Sequence, residues 1–153
     1  MKTHEHLVLV YGTLMKDNPN NHVIVGRKGS DAVLLGEAYT LQKFFMSGGG
    51  FPRVSRKVLR DFPASVKASD YCSQVSGELW RVNDESLTNC DRLEGHPTFY
   101  RREQVPVVMK TSRARHLAWM YIITEPPEAL QCLPKNKAGV LRWESPWKEP
   151  RDA

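Results

Sequence analysis

The chain has 153 residues, within the roughly 100–200 of one ordinary domain, and its 41% hydrophobic and 25% charged residues exclude a disordered chain. The longest unbroken apolar run, Leu117 to Ile123, has seven residues, where a membrane-crossing helix needs about 20. A net charge of +5, from 22 Lys and Arg against 17 Asp and Glu, reads as ordinary solubility charge rather than the footprint of a polyanion.

In chain order, Leu7 to Tyr11 is a continuous apolar, β-branched run, expected to be a strand buried on both faces and to stop at Gly12. It is too short for a signal-peptide core and has no cleavage site after it. Asp17 to Asn21 is a loop by composition. Ala32 to Tyr39 is a second strand, with Gly36 marking a bulge. Gly48-Gly49-Gly50 is a hinge or loop, followed by Phe51-Pro52 and a basic stretch, Arg53 to Arg60, with four cations and no acid. Val75 to Val82 is a third strand. Asn83 to Glu94 is the clearest helix: Asn83 or Asp84 caps its start, and Leu87, Cys90 and Leu93 form an apolar stripe. Gly95 and Pro97 end it. Val105 to Met109 and His116 to Ile123 are two further strands joined by a basic turn. Residues 125–153 hold five of the ten prolines and are expected to form an irregular tail or lid, pinned by Trp143 and Trp147. Strands outnumber helices without regular alternation, which favours an α+β fold in a single domain over a doubly wound sheet.

Several chemistries are absent. There is no phosphate-binding P-loop, no dinucleotide fingerprint and no nucleophile elbow. Cys72, Cys90 and Cys132 are odd in number and widely spaced, which argues against a disulfide framework or zinc pair and for a reduced, cytoplasmic setting. His4 and His6 would share a strand face, but at a chain terminus this is more often accident than metal site.

Two features carry chemistry. Tyr11-Gly12-Thr13-Leu14 lies at the carboxyl end of a buried strand, where backbone leaving through glycine can aim successive N–H groups at an anion or oxyanion. A plain strand-to-loop turn would look the same. In Asp91-Arg92-Leu93-Glu94-Gly95, Asp91 and Glu94 lie three apart on one helix face. Glu94 would sit at the negative end of the helix dipole, beside a like charge and partly buried. All three effects raise a carboxyl pKa toward neutrality, where a general base works best. The alternative is a solvated helix end paired with Arg92 or Arg101.

Together these pieces resemble the γ-glutamylcyclotransferase-like family, in particular its γ-glutamylamine cyclotransferase and AIG2-like branch. The opening Val10-Tyr11-Gly12-Thr13-Leu14, the strand Gly77 to Val82, and Leu87, Asp91, Leu93-Glu94-Gly95, Pro97 and Tyr100-Arg101 match in order and spacing, as does Trp119-Met120-Tyr121-Ile122. The resemblance covers roughly residues 7 to 123. It implies a small mixed β-barrel with flanking helices and a reaction that releases an amine from a small γ-glutamyl compound while closing the glutamyl part into 5-oxoproline. It places substrate binding on Tyr11, Gly12, Thr13, Leu14 and Tyr100 and catalysis on Glu94. No metal or cofactor is implied. The amine released and the oligomeric state are left open. Two other readings compete: a non-catalytic ligand-binding module on the same fold, and a nucleic-acid binder using Arg53, Arg56, Lys57, Arg60, Arg113 and Arg115. The last is not expected, because those clusters lack interleaved aromatics.

Overall fold

The computed structural model describes residues 5–26, 31–48 and 51–145. Strand β1 (Glu5–Val10) leads through a turn to a short helix α1 (Asn21–Val25). Then come β2 (Val33–Thr40), β3 (Phe44–Ser47), β4 (Arg53–Ser55), a 3-10 turn at Ala68–Asp70, β5 (Cys72–Ser73) and β6 (Ser76–Asn83). Helix α2 (Asp84–Glu94), β7 (Tyr100–Met109), β8 (Arg115–Ile123) and a second 3-10 turn at Ala129–Gln131 complete the order.

Five strands close into a barrel in the order β1-β6-β2-β7-β8. The closing contact is parallel, with Val8 opposite Trp119, while the other neighbours are antiparallel. The result is the small mixed barrel that the family resemblance implies. Closure leaves the barrel without open edges. The apolar run of β1 explains its place in it: Val8, Leu9 and Val10 are buried, while Glu5 to Leu7 begin the strand nearer solvent. A register shift between Leu34 and Gly36 puts an irregularity in β2 where a bulge was expected. Outside the barrel, β3 pairs with both β4 and β5 in a three-stranded sheet that the sequence reading did not foresee. Strands of two to four residues hold too few positions for an alternating pattern to show.

Helix α2 is capped at both ends. The Asn83 side chain accepts from Ser86 N–H at 2.9 Å, a contact worth about 1 kcal/mol. Gly95 stops the helix in the left-handed region, at φ 66°. Leu87 and Cys90 are buried, but Leu93 is 42% exposed, so the expected apolar stripe is corrected at its last position. Strand β7 begins at Tyr100, five residues before the expected Val105, because β8 pairs with its polar first half as fully as with its apolar second half. α1 was also missed; it is a single turn, held by Asn21 Nδ2 donating to Leu14 O at 2.8 Å.

The chain after β8 is mostly irregular, as expected, but it is bound to the body. Cys132 bridges to Ser47, Leu141 runs parallel to Val75, and Leu141 and Trp143 are buried. Trp147, His4 and Gly49-Gly50 lie outside the described residues. His6 Nε2 lies 2.5 Å from Asp84 Oδ1, and the three cysteines are free thiols. Among the described residues no helix is long and apolar enough to cross a membrane.

Candidate active site

Where β1 leaves the barrel, its chain turns across the ends of β4, β7 and β8. A cavity of about 210 Å³ opens there. Its lining includes Tyr11, Gly12, Thr13, Leu14, Glu94 and Tyr100, so all six residues picked from the sequence meet at one place. The cavity also takes Asn20, Pro52, Arg53, Leu93, Phe99 and Tyr121, none of which was picked.

The turn is held by its own hydrogen bonds. Gly12 O accepts from Met15 N–H at 3.0 Å, and Thr13 O accepts from Asn20 N–H at 3.0 Å. Asn20 Nδ2 also donates to Thr13 Oγ1 at 2.9 Å. Among the described residues, none accepts from the N–H of Gly12, Thr13 or Leu14. Gly12 is required by a close approach: a Cβ there would lie 2.8 Å from Pro52 Cγ, inside the contact limit.

Glu94 is the last residue of α2 and is half-buried. Burial raises its carboxyl from the ordinary 4.5 to about 7. The expected contribution of Asp91 is corrected. Asp91 Oδ1 accepts from Arg102 Nε at 2.9 Å and from the Tyr121 hydroxyl at 2.7 Å. Asp91 is held in that ion pair, and burial is the cause of the elevation at Glu94. The pairing of Glu94 with Arg92 or Arg101 is not formed, and no cation among the described residues is within ion-pair distance of Glu94.

Aromatic hydroxyls surround the carboxyl. Burial first, and then the Glu94 charge, push the Tyr100 phenol up to about 12, and Arg53 opposes this by a hydrogen bond and its charge. Tyr11 donates to Tyr121 O at 2.6 Å, and burial, Tyr100 and Glu94 hold its phenol well above the ordinary range. Both phenols therefore stay protonated donors at neutral pH. Burial first, then Glu94 and Asp91, push the Cys90 thiol beneath the site up to about 12, which disqualifies it as a nucleophile. Arg53 lies over the Phe99 ring at 5.5 Å and brings a positive charge to the Tyr100 hydroxyl. Its only sequence signal was membership of the basic stretch. Nothing in that stretch tells Arg53 from Arg56 or Arg60, because β4 reaches the site only through tertiary packing.

The sequence matches the family described as γ-glutamyl cyclotransferase, AIG2-like, over residues 8–144. The chain belongs to this family. A γ-glutamylaminecyclotransferase from Bos taurus is 29% identical over 122 residues, covering 79% of this chain and 68% of its own length. A candidate γ-glutamylcyclotransferase from Drosophila melanogaster is 28% identical over 123 residues, covering 80% of this chain and 73% of its own. The crystal structure of a mouse AIG2-like protein superposes with a TM-score of 0.66 at 22% identity, over 98% of this chain and 99% of that one, and so shows the shared fold. Among the described residues there is no cluster of three or more His, Cys, Asp or Glu able to hold a metal.

Proposed function

We propose that the protein releases an amine from a small γ-glutamyl compound and closes the glutamyl part into 5-oxoproline, with Glu94 as the proton carrier. The observation that carries this reading is the half-buried Glu94 carboxyl, raised to about 7, in a cavity lined also by Gly12, Thr13 and Leu14, whose N–H groups have no acceptor among the described residues.

The reaction is intramolecular. The substrate's α-ammonium gives a proton to the Glu94 carboxylate. The freed amine lone pair attacks the γ-carbonyl carbon and closes a five-membered ring. The carbonyl oxygen takes negative charge, and the N–H groups of Gly12 to Leu14 and the phenol of Tyr100 stabilise the substrate's anionic oxygens, while Tyr11 keeps its proton on Tyr121 O. As the intermediate collapses, the bond to the departing nitrogen breaks and Glu94 returns its proton there; the ring nitrogen's remaining extra proton passes to the released amine, which leaves as an ammonium. Holding amine and carbonyl in contact supplies several kcal/mol, with about 7–11 kcal/mol as the ceiling for ideal geometry. A carboxyl that titrates near 7 suits both halves of the transfer, because it is a competent base when ionised and a competent acid once protonated. Arg53, beside Tyr100, suits a carboxylate of the substrate.

Incubation with a γ-glutamylamine, followed by assay for 5-oxoproline and free amine in equal amounts, tests the reading. Tight binding of 5-oxoproline with no turnover of a panel of γ-glutamyl compounds would replace it by the ligand-binding alternative.

A further inference from the structure

The basic stretch has no part in this chemistry beyond Arg53, yet it borders a second cavity. Ser55, at the end of β4, is 2% exposed, and its hydroxyl has no hydrogen-bond partner among the described residues. A buried hydroxyl left unpaired costs about 1–3 kcal/mol, and alanine would fill the same space without that penalty. The hydroxyl therefore points to a partner from outside the chain.

Ser55 lines a cavity of about 290 Å³, separate from the active-site cavity. Its charged lining is Arg56, Lys57, Arg101 and Glu103. Arg56 is already engaged, 3.2 Å from Glu103 and over the Phe44 ring at 5.1 Å. That pair cancels, and among the described residues Lys57 and Arg101 have no ion-pair partner. Two uncompensated cations at a concave surface concentrate anions there. The rest of the wall includes Ile122, Ile123 and Pro126, which suits the carbon body of a small molecule.

We propose that this cavity is a binding site for a phosphate group, held by the Ser55 hydroxyl, the Lys57 ammonium and the Arg101 guanidinium. Three donors of different kinds on two strands and a loop suit an oxyanion with several acceptor oxygens better than a planar carboxylate with two. The phosphate arrives either as the free ion or as a monoester, and the apolar wall favours the monoester. The site stands apart from the proposed reaction: Tyr100 faces the active-site cavity while its neighbour Arg101 faces this one, as successive residues of a strand must.

The test is calorimetric titration of the full chain with inorganic phosphate and with glycerol 3-phosphate at fixed ionic strength, with sodium chloride as control. The expected result is one-to-one binding, tighter for the monoester. Ser55→Ala should weaken it about tenfold, the value of a hydrogen bond to a charged group. Lys57→Gln and Arg101→Gln should each weaken it about as much, and these surface changes leave the fold intact even if Ser55→Ala does not. Arg53→Gln should leave the affinity within about twofold, and 5-oxoproline should not compete. Equal affinity for both probes would assign the site to the free ion. Absence of binding, or a signal reproduced by chloride, would overturn the proposal. So would loss of binding in Arg53→Gln or displacement by 5-oxoproline, since either places the anion in the active-site cavity. None of these readouts depends on turnover, so the site can fail while the proposed reaction stands, and the reverse.

Discussion

Glu94→Gln separates stability from chemistry at one position. Glutamine keeps the shape and can still hydrogen-bond, but it cannot take a proton from the substrate ammonium. Loss of a general acid–base group lowers kcat by about 10²–10⁴-fold. Stability should move the other way. Holding a carboxyl at about 7 rather than 4.5 costs the folded state, at about 1.4 kcal/mol per pKa unit, about 3 kcal/mol once pH exceeds 7. Water reaching the half-buried side chain makes that an upper bound. Because the folded state binds the proton more tightly, the wild-type protein loses stability as pH rises from about 4.5 to about 7. The glutamine variant has no such loss, so it should gain on the wild type through that window and hold the gain above it. Denaturant unfolding at pH 4 and pH 8 reads the difference. 5-Oxoproline formation measured from pH 5 to pH 9 should show an acidic limb near 7 in the wild type that is missing from the variant. A Glu94→Gln protein that turns over at the wild-type rate would refute the proton-carrier role. Equal stability differences at both pH values would refute the burial account of the elevation.

Arg102→Gln should move that acidic limb to higher pH, because Asp91 would then present an uncompensated charge one turn from Glu94; an unmoved limb would show that Asp91 is silent for another reason. Gly12→Val should destabilise by about 1–3 kcal/mol through overpacking against Pro52 and should weaken 5-oxoproline binding more than the unfolding data explain; a folded variant with unchanged affinity would place the pocket elsewhere. Arg53→Gln should raise KM for the γ-glutamyl substrate about tenfold or more with a smaller change in kcat, if it pairs with a substrate carboxylate, and steady-state kinetics separate the two.

Legibility in the sequence followed the range of the forces involved. Helix α2 was readable because its cap, its buried Leu87 and Cys90, and its glycine stop all act within one turn of backbone. β1 was readable because both faces are buried, which writes an unbroken apolar run. The joint order of short motifs pointed to the family, and with it to Glu94 and the turn from Tyr11 to Leu14. What only the tertiary structure decided was the electrostatic balance of the site. Sequence spacing put Asp91 beside Glu94 as a second negative charge, but Arg102, brought over by β7, pairs with it, and Tyr121, on β8, donates to it. The elevation at Glu94 is therefore a matter of burial, which no local pattern encodes. Arg53, on a three-residue strand, and Pro52, just before it, reach the site some forty positions from the turn they meet, and Ser55 is buried where β4 packs against β8. Local hydrogen bonding and apolar periodicity set the elements; long-range packing set which charges face which, and so the chemistry.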